Sequence, residues 1–248
     1  TDAARAAADL ILTAPGLSTI VSAVEEARRI FERMNAYAVY RITETIRIMV
    51  FMVAAMLTLN TYPITAIMII LLALLNDLPI MAIAVDRSEL DPRPVRWQMH
   101  RVLTLATLLG LIGVVETFLL LLIAKDWLAL PLDTIRTIVF LKLSVAGHLT
   151  LFVARTKRAM WSRPFPAPVL LGAILGTQVV AALIAGLGIL VVPIPWSYVG
   201  AIWLYCLLWV VIEDRAKLVI YRHFQAGGQR HRGFLRTLNA RMHPGAGA

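Results

Sequence analysis

A single cysteine, Cys206, stands in 248 residues. An internal disulfide is therefore impossible, and a thiolate metal cluster lacks its ligands. Between Tyr205 and Leu207 the thiol is expected to be packed and inert. There is no Gly-rich phosphate loop ending in Lys-Ser/Thr, no Cys/His metal spacing and no serine nucleophile elbow. This stretch is not expected to hydrolyse a nucleotide by itself. No signal-peptide pattern is visible. The opening Thr1-Asp2-Ala3-Ala4-Arg5 lacks an initiator Met, so the sequence reads as part of something longer. No internal repeat is evident, which leaves an inverted-repeat transporter without support. Charge is scarcest in the second half, where residues 164–212 contain no Asp, Glu, Lys or Arg.

Apolar residues take the place of what is missing. They make up 59% of the chain, with a mean hydropathy of +0.76, against about 45–50% in soluble domains. Six runs are long enough to cross a bilayer, at about 42–60, 63–86, 102–124, 134–154, 167–190 and 197–217. The fold class predicted is an all-α polytopic membrane protein, a bundle of six transmembrane helices. Residues 1–17 look soluble: Asp2 to Ala8 is helical in propensity, Asp9-Leu10-Ile11-Leu12-Thr13 suits the edge of a sheet, and Ala14-Pro15-Gly16 suits a turn. From Ser18, a capping residue, an amphipathic pattern continues without a breaker to Asn60. One long helix is predicted, with residues 18–41 as a stalk outside the membrane. The transmembrane domain then covers 42–222, and 223–248 is a basic tail expected to be mobile.

The net charge of +9 could suggest nucleic acid, but its placement argues against that partner and for a lipid bilayer. Of the 24 Lys and Arg, all but Arg47, Lys125, Arg136 and Lys142 lie before the first span, after the second and fourth, or at the end of the sixth and beyond it. Such an asymmetry puts both termini in the cytoplasm.

The stretch Leu74-Leu75-Asn76-Asp77-Leu78-Pro79 is the most informative. Asp77 is the only charged residue between 62 and 85. An Asp at a bilayer centre costs roughly 2.5–3.5 kcal/mol on insertion scales. Pro79 has no N–H for the carbonyl of Leu75 and is expected to break the helix there. A carboxylate at a helix break suggests an ion or proton site; a structural acid bonded to neighbouring helices is the alternative. Arg47, with Glu44 three residues before it on one helical face, is either a fixed positive group near that carboxylate or a snorkelling side chain paired with Glu44, and Glu44 is a possible secondary ion-binding residue. Glu116 follows Gly110 and Gly113, which permit close helix approach, and is expected to make a structural hydrogen bond, with a part in ion binding as the alternative. Lys142 and His148 do not share one face well, and His148 reads as a bonded structural group. Gln178, and Gly172 four before Gly176, read as packing features. Glu213 and Asp214 read as an interfacial ion cluster with Arg215 and Lys217.

Several segments resemble one family in order: Thr1-Asp2-Ala3-Ala4-Arg5, Asp9-Leu10-Ile11-Leu12-Thr13, Pro15-Gly16-Leu17-Ser18, Ile30-Phe31-Glu32-Arg33-Met34 and Tyr40-Arg41-Ile42-Thr43-Glu44-Thr45-Ile46-Arg47-Ile48. They resemble the end of the phosphorylation domain and the fifth membrane helix of plasma-membrane-type proton pumps, the proton-efflux P-type ATPases. Leu75-Asn76-Asp77 resembles that family's sixth helix, and Ile202-Trp203-Leu204-Tyr205 its tenth. Calcium and sodium pumps usually carry Thr-Asp-Gly where this chain has Asn76-Asp77-Leu78.

The resemblance implies that the six spans are helices five to ten of a ten-helix pump, and that residues 1–17 are a remnant of its phosphorylation domain. It implies ATP-driven proton export across the plasma membrane, with Asp77 as carrier, Asn76 beside it and Arg47 as electrostatic partner. ATP and Mg2+ are implied for the parent protein only. The phosphorylated Asp of the Asp-Lys-Thr-Gly-Thr motif, the nucleotide-binding domain, the Thr-Gly-Glu loop, the Gly-Asp-Gly segment and helices one to four are all absent from this sequence, so the missing N-terminal part of the same pump is the expected partner. A P-type ATPase for another cation and a non-enzymatic six-span protein are the alternatives.

Overall fold

The computed structural model describes residues 2–8, 11, 18–89 and 97–242, and every described element is helical. A short helix, α1 (Asp2–Ala7), precedes six long ones: α2 (Ser18–Leu59), α3 (Ala66–Ala82), α4 (Met99–Leu122), α5 (Leu132–Ala154), α6 (Pro168–Leu187) and α7 (Trp196–Met242). All six are long and apolar enough to cross a membrane. The predicted sheet edge and turn of residues 9–16 lie outside the described residues, Ile11 apart.

Helix α2 contains neither Gly nor Pro over its 42 residues. At 1.5 Å per residue it is about 63 Å long, roughly twice the hydrocarbon thickness of a bilayer. One rod therefore supplies both the stalk and the first span. It stops at Asn60, whose φ of 54° is left-handed, a conformation Asn tolerates at helix ends. Thr65 caps α3 by accepting from the Met68 N–H at 3.4 Å. Pro168 opens α6 in the first turn, where its missing N–H costs nothing. Gly188 closes α6 at φ 74°, against Pro193, where a Cβ would come within 2.8 Å of the Pro193 ring.

Helix α5 is the axis of the bundle. Nearly every residue from Ile135 to Val153 is buried, so this helix is enclosed by protein rather than lipid. The helices α2, α3, α4, α6 and α7 surround it, with α2 lying along α4 and α7 along α5. Gly110 on α4 makes the first of these contacts possible: a Cβ there would stand 2.9 Å from Ile46 Cγ2 and 3.1 Å from the Thr43 carbonyl.

Polar ties hold the bundle at both ends. Asp86, after the 3-10 turn Ile83–Val85 that extends α3, accepts from Arg155 Nε and from the Ala167 N–H, each at 2.8 Å. Its carbonyl accepts from Arg33 Nε at 2.8 Å. One buried acid thus ties the stalk, the end of α3, the end of α5 and the start of α6. Lys217 donates to the carbonyls of Val153 and Arg158 at 3.0 and 2.6 Å and pairs with Asp214 at 2.8 Å. At the opposite end Arg136 Nε donates to the Tyr62 carbonyl at 3.0 Å.

Two expectations are corrected. Pro79 does not break α3, which runs through it to Ala82. The carbonyl that Pro79 leaves without a helical donor, that of Leu75, takes one from α5 instead: His148 Nε2 lies 3.3 Å away. Helix α7 runs on past the last span to Met242. Gly172 and Gly176 do not seat a neighbouring helix, since a Cβ at either would meet nothing within 4 Å.

Candidate functional site

Five charged side chains from four helices meet in the interior. Arg47 of α2 is fully buried. Its Nη1 donates to Glu44 Oε1 at 2.6 Å, and its Nη2 donates to Glu213 Oε1 of α7 at 2.5 Å and to Thr150 Oγ1 of α5 at 2.8 Å. Thr150 donates to the other oxygen of Glu213 at 2.9 Å. Helical spacing brings Glu44 to Arg47, since residues three apart share a face. Gly113 of α4 makes room for the guanidinium, and a Cβ there would overlap it. One helical turn away along α4, Glu116 pairs with Lys142 of α5 at 3.1 Å, and Lys142 also donates to Thr117 at 2.5 Å. Removing both members of such pairs together is often tolerated, whereas removing one strands the other.

A second, uncharged network crosses from α3 to α6. A carbonyl only accepts, so the Nε2 of His148 that faces Leu75 carries the hydrogen. The Nδ1 is then an acceptor, and Gln178 Nε2 donates to it. Gln178 Nε2 also donates to the Ser144 carbonyl at 3.0 Å. The proton is assigned here from the bonding pattern.

Asn76 and Asp77 part company. Consecutive residues on a helix point about 100° apart. Asn76 is buried, its Oδ1 beside Gly147 of α5 and without a donor. Asp77 faces outward, its side chain 58% exposed in this chain, 3.9 Å from Arg41 Nη1. On the same outer face stand Leu74, Leu78 and Met81. The predicted site residues thus fall into two groups. Arg47, Glu44, Glu116 and Asn76 are gathered in the interior, and Asp77 stands apart from them with Arg41. Arg47 binds Glu44 and Glu213, not Asp77.

Glu213 is the member the sequence concealed. Placed beside Asp214, Arg215 and Lys217, it reads as part of an interfacial cluster. Asp214 and Lys217 do hold the loop after α5, with the Met160 N–H donating to Asp214 at 3.0 Å, but Glu213 turns inward to Arg47. Helix periodicity was the available signal: Glu213 lies three and seven residues after Val210 and Cys206, which are both buried.

No family model matches the chain. Individual proteins do. Over 225 residues, 91% of this chain, it is 47% identical to a protein of Methanocaldococcus jannaschii that carries the name of a cation-transporting ATPase. It is 33% identical over 184 residues, 73% of the chain, to plasma membrane ATPase 1 of Candida albicans. The chain belongs to the P-type ATPases. It is also 28% identical over 89% of its length to a Leishmania donovani protein named as a probable proton ATPase. The P-type relatives are much longer: the chain spans 28%, 20% and 27% of these three. With six apolar helices it is a multi-pass membrane protein.

Proposed function

We propose that this chain is the membrane part of an ATP-driven proton exporter of the plasma membrane, with both termini in the cytoplasm and Asp77 as the carrier. The observation that carries the reading is the pair of fixed cations, Arg47 and Lys142, in the middle of the bundle. These cations already take up oxygens of the interior carboxylates, which leaves few to cage a metal cation, whereas a proton joins one carboxylate covalently and needs no cage. The names of the plasma membrane and proton ATPases among its relatives agree with this.

In this reading the outer face of α3 adjoins the rest of a longer pump. Asp77 takes a proton from the cytoplasmic side when desolvation favours the neutral carboxyl, and gives it to water on the other side when the parent pump opens access there. Arg47, which does not deprotonate, stands behind it as a positive barrier to return. Moving one charge against 100 mV costs about 2.3 kcal/mol, which the ATP-hydrolysing part supplies. ATP chemistry, with its Mg2+, is assigned to the remainder of the pump.

The test is Asp77→Asn in the full-length protein, in sealed vesicles. ATP-driven acidification should stop; acidification at the normal rate would remove Asp77 from the role. Replacing the ions in an ATPase assay separates proton export from transport of another cation.

A further inference from the structure

The interior cluster sets three carboxyls, Glu44, Glu116 and Glu213, against two side-chain cations, Arg47 and Lys142. Fully ionised, it holds one negative charge too many in a medium that tolerates none unpaired. The hydrogen bonds indicate which carboxyl carries the difference. Glu213 has both oxygens engaged, by Arg47 and by Thr150. Glu44 and Glu116 each have one oxygen engaged and one without a partner.

What faces the free oxygen separates the two. Glu44 Oε2 lies 3.2 Å, and Asn76 Oδ1 3.6 Å, from the point that a Cβ on Gly147 would occupy. Both residues are more than nine-tenths buried, and neither oxygen has a donor. As placed, both oxygens are acceptors turned to one gap with no hydrogen from the protein supplied to either. The absence of a side chain at Gly147 is what leaves the gap.

We propose that Glu44 binds an exchangeable proton on Oε2, in the gap at Gly147 that the Asn76 amide also faces, forming a second protonation site distinct from that of Asp77. Uptake takes one proton from hydronium and leaves water; release returns it. With that proton bound, the cluster is neutral. The other titratable and charged groups around Glu44 are Tyr40, Arg41 and Arg47 on its own helix, Glu116 on α4, Lys142 on α5 and Glu213 on α7. On α3, Asp77 is turned outward; His148 of α5 is engaged by Leu75 and Gln178. Arg47 already lies against Glu44 Oε1, which penalises a metal cation on the same carboxylate far more than a proton. The site's part in transport rests on the reading of the parent as a proton pump, but its protonation does not.

The experiment is pH-difference infrared spectroscopy of the full-length protein in lipid vesicles without ATP. A carboxylic-acid carbonyl band should appear on acidification, vanish in Glu44→Gln and persist in Asp77→Asn. Glu44→Gln imitates the protonated side chain and should fold. If it does not, Asn76→Leu and Gly147→Ala decide: the first removes the acceptor and the second crowds the gap, and each should shift the band. A titrating spectrum that is the same in wild type and Glu44→Gln overturns the proposal. So does a band that neither Asn76→Leu nor Gly147→Ala moves, or one that sodium or potassium abolishes at constant pH. If Asp77→Asn still pumps while Glu44→Gln loses its band, the assignment of Asp77 falls and this one stands.

Discussion

The two acidic regions of this membrane domain differ in the way charge is held. In the interior, Arg47, Glu44, Glu213, Glu116 and Lys142 are locked by short hydrogen bonds from four helices. At the outer face of α3, Asp77 has one neighbour of opposite charge among the described residues, at 3.9 Å, and more than half its side chain is exposed. Buried charges lean on every partner, so losing one is costly; exposed pairs are worth little. The interior cluster is therefore expected to govern whether the bundle stands, and Asp77 what it carries.

The sharpest way to break this contrast is Arg47→Met, which leaves Glu44 and Glu213 buried without their cation. We expect a loss of about 3–5 kcal/mol, read as a large fall in the thermal midpoint of the protein in detergent. A midpoint near wild type would mean that the cluster is not a structural keystone. Gly113→Ala should cost about 1–3 kcal/mol by the same measurement, because its Cβ collides with the guanidinium. In Arg47→Met that penalty should shrink, and an unchanged penalty would place the clash elsewhere. His148→Leu removes the donor to the Leu75 carbonyl and should cost about 1–3 kcal/mol. Asp77→Asn completes the comparison at the small end. Its stability should stay within about 0.5 kcal/mol while acidification of vesicles by the full-length protein is lost. A strongly destabilised Asp77→Asn would erase the distinction between the two regions.

The sequence carried the spans well, because a run of apolar residues declares itself regardless of its neighbours. It also carried the pairing of Glu44 with Arg47, which is local, and the close approach that Gly110 and Gly113 permit. Rotation was harder to read. Spans that are apolar nearly all round give no indication of which side meets protein, so Asn76 and Asp77 read as one unit although they face different ways. Gly172 and Gly176 looked like a helix seat because spacing alone does not distinguish a neighbouring helix from open surface. Glu213 is 166 positions from Arg47, and its charged neighbours masked its inward direction. Pro79 read as a break because the sequence does not disclose that α5 brings a substitute donor.

That substitution has a mechanical side. An ordinary helix can slide past its neighbour and find equivalent carbonyls satisfied at every step, each by its own chain. Helix α3 differs at one rung, where Pro79 has left the Leu75 carbonyl to be served from His148. A slip of one residue, about 1.5 Å along the axis, would present His148 with a rung already filled and leave the vacant one bare. Pro79 is thus a notch and His148 its pawl, and together they index α3 against the central helix at a single axial setting.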